Sequence, residues 1–148
     1  MQLHESFFFT NFALVEEKAI FELRMKVRDY EVDCEGIVNN ACYLNYLEHT
    51  RHEFCDRAGL SFRAMRQRNM APVVRHIEID YLSSLGLGQE FTSCLSLRRQ
   101  GARFIFHQWI VDANGRLVVR ADVTIVNIIN GNLTRGDELA EAFAIYLA

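Results

Sequence analysis

Residues Val27–Arg51 read VRDYEVDCEGIVNNACYLNYLEHTR, and the order of events along them decides the fold. To the left, Phe21, Leu23, Met25 and Val27 alternate with Glu22, Arg24, Lys26 and Arg28. An apolar period of two marks a half-buried strand, here expected over about Ala19–Tyr30. To the right, Tyr43, Leu47, Thr50 and Phe54 recur at spacings of four, three and four, one stripe of a helix. That helix is expected from about Asn39 to Ala58, with Gly59 at the position that ends it. Between strand and helix lie an acid, Asp33, and a glycine, Gly36.

The physics of that junction points to a site. The first N–H groups of a helix have no internal partner and carry the positive end of its dipole. Glycine lets an incoming group approach the backbone closely. The amides of Gly36, Ile37 and Val38 are therefore candidates to hold charge on a carbonyl oxygen under attack. The carboxylate of Asp33 is the candidate to attack the carbon, or to draw a proton from water that does. A plainer reading stands beside this one: Asp33 caps the helix or closes a turn through its side chain. The short pattern D-x-x-G favours the plainer reading.

The longer string does not. Asp33, Gly36, Ile37, Val38, Asn40, Tyr43, Leu44, Tyr46, Leu47, Glu48 and Arg51 together resemble the signature of acyl-CoA thioesterases of the hot-dog fold, in the 4-hydroxybenzoyl-CoA thioesterase-like superfamily. The resemblance implies an α+β fold with a long central helix wrapped by a five-stranded antiparallel sheet. It implies Asp33 as nucleophile or general base, Gly36–Val38 as the oxyanion site, and Glu48 as a second acid near the acyl group. Tyr43 and Leu47 on the apolar stripe, with Arg51, are the substrate-binding candidates. Many relatives carry histidine where this chain has Asn40; asparagine can orient a water or thioester oxygen but cannot shuttle a proton near neutral pH. The Asn39–Asn40 pair looks more like the branch acting on long-chain acyl-CoA. Tyr81–Gly88 resembles a second family stretch, with Ser84 in place of its usual proline.

The implied activity is hydrolysis of acyl-CoA, with an acyl carrier protein thioester as the alternative bearer. A non-catalytic acyl-thioester binder is a further alternative. Hydratases of the same fold use a histidine with an acid, and the nearest histidines, His49 and His52, fall inside the helix. No metal or redox cofactor is implied.

The chain has 148 residues, half of them apolar, which suits one globular domain. Residues 1–19, with Phe7, Phe8, Phe9 and Phe12, read as an N-terminal extension. A net charge of −3 argues against non-specific nucleic-acid binding. No stretch nears the ~18 consecutive apolar residues of a membrane helix, and MQLHESFFF is not a secretory signal, so the expectation is a cytoplasmic protein. Cys34, Cys42, Cys55 and Cys94 form no paired motif and read as free thiols. Cys34 adjoins Asp33 but has no basic partner. Glu48 and Arg51, three apart, read most simply as a surface ion pair.

Downstream, Ser61–Asn69 reads as a short helix or turn whose Arg63, Arg66 and Arg68 form a solvated face or meet CoA phosphates. Pro72 is expected to open a strand over Val73–Leu82. Strands over Glu90–Arg99 and Arg103–Val111 follow, the latter apolar enough to be covered on both faces. His107 there has no carboxylate neighbour in sequence and reads as structural. Asp112–Gly115 is a hairpin turn, Arg116–Asn130 a long strand, and Gly136–Ala148 a helix with Leu139, Ala142, Phe143, Ile145 and Tyr146 on its apolar side. One such unit leaves sheet edges unpaired. A homodimer, or a tetramer, is expected, with the active site between the helix start of one subunit and its neighbour.

Overall fold

In the computed structural model, which describes residues 18–147, the strand–helix–strand order of the sequence is realised around one antiparallel sheet. The aromatic cluster at Phe7–Phe12 lies outside the described residues. Strand β1 spans Phe21–Lys26, shorter than its apolar alternation suggests, because the chain turns into a single 3-10 turn at Asp29–Glu31. Helix α1 covers Asn40–Arg57. Asn39 stands at its N-cap and accepts the Ala41 N–H at 2.9 Å, as a short polar side chain does at this position. Gly59, at φ 83°, ends it in the left-handed conformation that favours glycine. Ser61 caps a second, short helix, α2, at Phe62–Gln67.

Four long strands follow: β2 (Met70–Tyr81), β3 (Glu90–Gln100), β4 (Arg103–Asp112) and β5 (Leu117–Ile129). The spatial order is β1-β3-β4-β5-β2, every pairing antiparallel, with a two-residue β6 (Asn132–Leu133) added beside β5. Asn130 and Gly131 turn between β5 and β6 at positive φ, so the expected strand end is a tight hairpin. Strand β2 begins at Met70, and Pro72 sits inside it. The strand tolerates this proline because it forms an edge of the sheet.

Helix α1 lies across one face of the sheet. Its stripe of Tyr43, Leu47, Thr50 and Phe54 is buried, as its spacing predicts. Phe54 is the hub: its ring meets Phe21 at 6.0 Å, Phe106 at 5.8 Å, Phe143 at 5.3 Å and Tyr146 at 4.9 Å. Strand β4 is central, but it is fully covered on one face only. Phe104, Phe106, Gln108 and Ile110 are buried towards α1, whereas His107, Trp109 and Val111 on the other face stay half-buried. The tail forms a short helix, α3 (Asp137–Ala142), then a 3-10 turn at Ala144–Tyr146. The change of helical pitch sends Leu139 and Phe143 into the core and turns Ile145 out to solvent. A long helix laid across such a sheet is the hot-dog arrangement.

Candidate active site

The loop from Val32 to Asn39 is built as two short antiparallel bridges. Val32 pairs with Val38, through Asn39 N–H to Glu31 O (3.1 Å) and Asp33 N–H to Ile37 O (2.9 Å). Ile37 pairs with Gly86 on the other side, through Val38 N–H to Leu85 O and Leu87 N–H to Gly36 O. Gly36, at φ 77°, makes the turn between the first pair, and its own N–H donates to Asp33 O at 3.0 Å. The loop is thus stitched to the segment that follows β2. Tyr43 tightens the same seam: its hydroxyl accepts the Leu85 N–H at 3.0 Å. Tyr81, at the end of β2, donates its hydroxyl to the Asn40 carbonyl at 3.2 Å.

Two of the three amides expected to hold the oxyanion are engaged within the loop. Gly36–Val38 precede the helix by one bridge and are not its first turn. The N–H groups of Gly36 and Val38 already have backbone acceptors. Among the described residues, the amides of Cys34, Ile37 and Asn40 meet no acceptor here. Asn40 is the first residue of α1, so its N–H is the open donor at the positive end of the helix. The side chain of Asp33 is exposed, and one of its oxygens, Oδ1, accepts the Glu35 N–H at 2.8 Å. That is the turn-closing contact of the plainer reading, and it leaves Oδ2 open.

Beneath the loop lies an acid that sequence reasoning passed over. Glu31 is buried and accepts the Arg28 N–H at 2.7 Å. Beside it the Tyr46 hydroxyl is buried with no hydrogen-bond partner among the described residues. Burial, and then the neighbouring Glu31 carboxylate, hold that phenol well above its usual range. Nothing in the periodicity distinguishes Glu31 from the solvated acids around it, because its burial comes from the loop folding back on α1.

The other candidates separate. Glu48 is exposed and faces His52 at 3.6 Å. Arg51 makes no surface pair with it: the residue is 8% exposed, and its Nη1 donates to Gln108 Oε1 at 2.8 Å. Gln108 Nε2 in turn donates to Leu47 O, so the polar pair ties α1 to β4. Burial lowers the Arg51 pKa, and Glu48 offsets this in part. Tyr43 and Leu47 are core residues of the chain. Cys34 is exposed and free. Burial pushes the Cys55 and Cys94 thiols up to about 11 and about 12, so neither serves as a thiolate near neutrality. His107 has the carboxylate that sequence did not show: its Nδ1 lies 2.6 Å from Asp122 Oδ1, on the sheet face away from α1. Among the described residues no cluster of ligands suits a metal, and no helix is long and apolar enough to cross a membrane.

The comparisons with known proteins agree with this fold. The family model of the thioesterase-like superfamily matches residues 27–144. The chain belongs to that superfamily. Among curated relatives, it is 38% identical over 92 residues to the acyl-acyl carrier protein thioesterase ATL2 of Arabidopsis thaliana, covering 60% of this chain and 48% of that protein. It is 34% identical over 109 residues to the long-chain acyl-CoA thioesterase FadM of Escherichia coli, covering 72% of this chain and 82% of that protein. The chain thus spans less than half the length of the first of these relatives. Among solved structures, the probable thioesterase YbaW of Escherichia coli superposes with a TM-score of 0.72 at 30% identity, covering 86% of this chain and 98% of that one.

Proposed function

We propose that the chain hydrolyses acyl thioesters, acyl-CoA in the first instance, to a carboxylic acid and a thiol. The observation that carries this is an exposed Asp33 carboxylate on a loop that also bears the open amide of Ile37 and leads into that of Asn40 at the start of α1. Oδ2 of Asp33 takes a proton from water as the oxygen of that water bonds to the thioester carbon. The carbonyl oxygen becomes negative and is held by the two open N–H groups. Collapse of this adduct breaks the C–S bond, and the departing sulfur takes the proton back from Asp33. Direct attack by the carboxylate, followed by hydrolysis of the mixed anhydride, uses the same groups. Asn40, which cannot carry the proton, orients the water or the carbonyl through its side chain.

The unpaired edge of β2 supports a two-subunit site. Two copies joined along β2 would cover that edge and enclose the open side of the Asp33 loop.

The test is hydrolysis of a panel of acyl-CoAs, including long-chain and aromatic thioesters, by the wild type and by Asp33→Asn. Loss of the proton acceptor is expected to lower kcat by about 100-fold or more, with little change in KM. Unchanged turnover in Asp33→Asn would refute the assignment. The engagement of Asp33 Oδ1 by Glu35 N–H favours a second reading, an acyl-thioester binder without turnover. Tight acyl-CoA binding with no hydrolysis at any chain length would establish that reading instead.

A further inference from the structure

The stretch between Asp56 and Glu78 contains five arginines and no acid, in a chain whose net charge is −3. Arg57 ends α1, Arg63, Arg66 and Arg68 follow on α2 and its cap, and Arg75 lies on β2. All five are exposed. None forms an ion pair with a carboxylate among the described residues, and Arg57 instead covers the Phe21 ring at 5.1 Å. In their midst Phe62 is 61% exposed. Elsewhere Arg99, Arg116 and Arg120 each sit beside an aspartate. A run of exposed arginines free of ion pairs, beside an aromatic whose ring packs on His52 at 4.7 Å, fits a large anionic partner. It extends over three elements, further than a single nucleotide reaches, and guanidinium groups suit carboxylates and phosphates alike.

Its position says which active site it serves. Asn40 and Arg57 are 17 residues apart along helix α1, so about 25 Å separate them at ~1.5 Å per residue. Arg57 and the Asp33 loop of the same chain therefore lie at opposite ends of the helix. Strand β2 connects the same two ends: Met70 follows α2, and Tyr81 bonds to the Asn40 carbonyl. Two copies paired antiparallel along β2 place the Met70 end of one beside the Tyr81 end of the other. We propose that this face docks an acidic, phosphopantetheine-bearing carrier protein, and that the docked carrier delivers its acyl chain to Asp33 of the second copy. The proposal rests on the thioesterase reading and names its partner.

The experiment reverses three charges, R63E/R66E/R68E, in the full chain. It compares hydrolysis of palmitoyl-acyl carrier protein, palmitoyl-CoA and palmitoyl-pantetheine, which lacks the nucleotide and the protein. Expected is a loss of about 10-fold or more in kcat/KM for the carrier substrate, steepest at low salt, with palmitoyl-pantetheine unaffected. Unchanged turnover of the carrier substrate overturns the proposal, as does an equal loss on palmitoyl-CoA, which would assign the face to the nucleotide. Mixed dimers of Asp33→Asn and R63E/R66E/R68E subunits test delivery across the dimer. They regain carrier turnover if the face of one copy serves the other, and stay inactive if each copy serves itself, which would overturn that half. If the wild type cleaves no thioester at all, the enzyme reading fails separately. Calorimetric titration with holo-acyl carrier protein then decides the docking: binding lost on charge reversal upholds it, and binding retained sinks it.

Discussion

Arg51 shows how a residue's role can invert between its sequence neighbourhood and its place in the fold. By spacing it belongs to a charged helix face with Glu48, yet it is buried and bonded to Gln108. Replacing Gln108 by leucine would leave a buried guanidinium without its partner, at a cost of about 3 kcal/mol. Adding Arg51→Met removes the stranded charge, so the double variant is expected to recover part of that loss in urea unfolding. Asp112 offers a test of linkage. Backbone N–H groups, that of Arg116 first and then Asn114, hold its carboxylate below the ordinary value of 3.8. A depressed folded pKa contributes stability above the unfolded value, and that stability is lost as pH falls through the folded one. Below pH 3.8 the wild type should therefore lose Tm more steeply than Asp112→Asn, which has nothing to titrate.

At the scale of elements, the ends are where local chemistry and tertiary packing meet. Gly59 and Gly136 both adopt positive φ, 83° and 82°, but their surroundings differ. A Cβ at Gly59 meets nothing within 4 Å, so Gly59→Ala should cost only the left-handed strain, about 1 kcal/mol. A Cβ at Gly136 would lie 2.6 Å from Cε2 of Phe104, a ring with no exposed surface. Gly136→Ala should cost about 2–4 kcal/mol, since strain and overpacking add. Urea midpoints of the two variants check the difference. The spans of α1, α2 and the long strands were legible because period and capping chemistry are local. The start of β2 was not: Pro72 reads as a strand opener, and only its edge position allows three ladder residues from Met70 to Pro72. The tail was legible as helical, but its break into a 3-10 turn follows from seating Phe143 against Phe54.

For the whole molecule, the exposed edge of β2 makes a definite demand. Val73 and Val74 are 37% and 47% exposed on a strand that pairs with β5 on one side only. Sedimentation of the wild type is expected to show a dimer or larger species. The double variant Val73→Lys, Val74→Lys, which places charge on that edge, should shift it towards monomer and lower thioester turnover with it. A wild type that remains monomeric while hydrolysing thioesters would remove the two-subunit site. Of that site, the aspartate, the glycine turn and the helix start were readable from one string of residues. The open amide at Asn40 was not, because it depends on which N–H groups the segment between β2 and β3 consumes.

From the amino-acid order alone came the class of fold, the glycine that ends α1, the hairpin turn at Asp112–Gly115 and the loop that bears Asp33, since each follows from residues within a few positions of one another. The folded chain settled what distant residues do on meeting. Gln108 reaches Arg51 from 57 positions away, Asp122 reaches His107 from 15, and Leu85 takes the Val38 amide from across the loop. Such contacts leave no periodic trace, because they arise only when the sheet brings separate strands to the same helix.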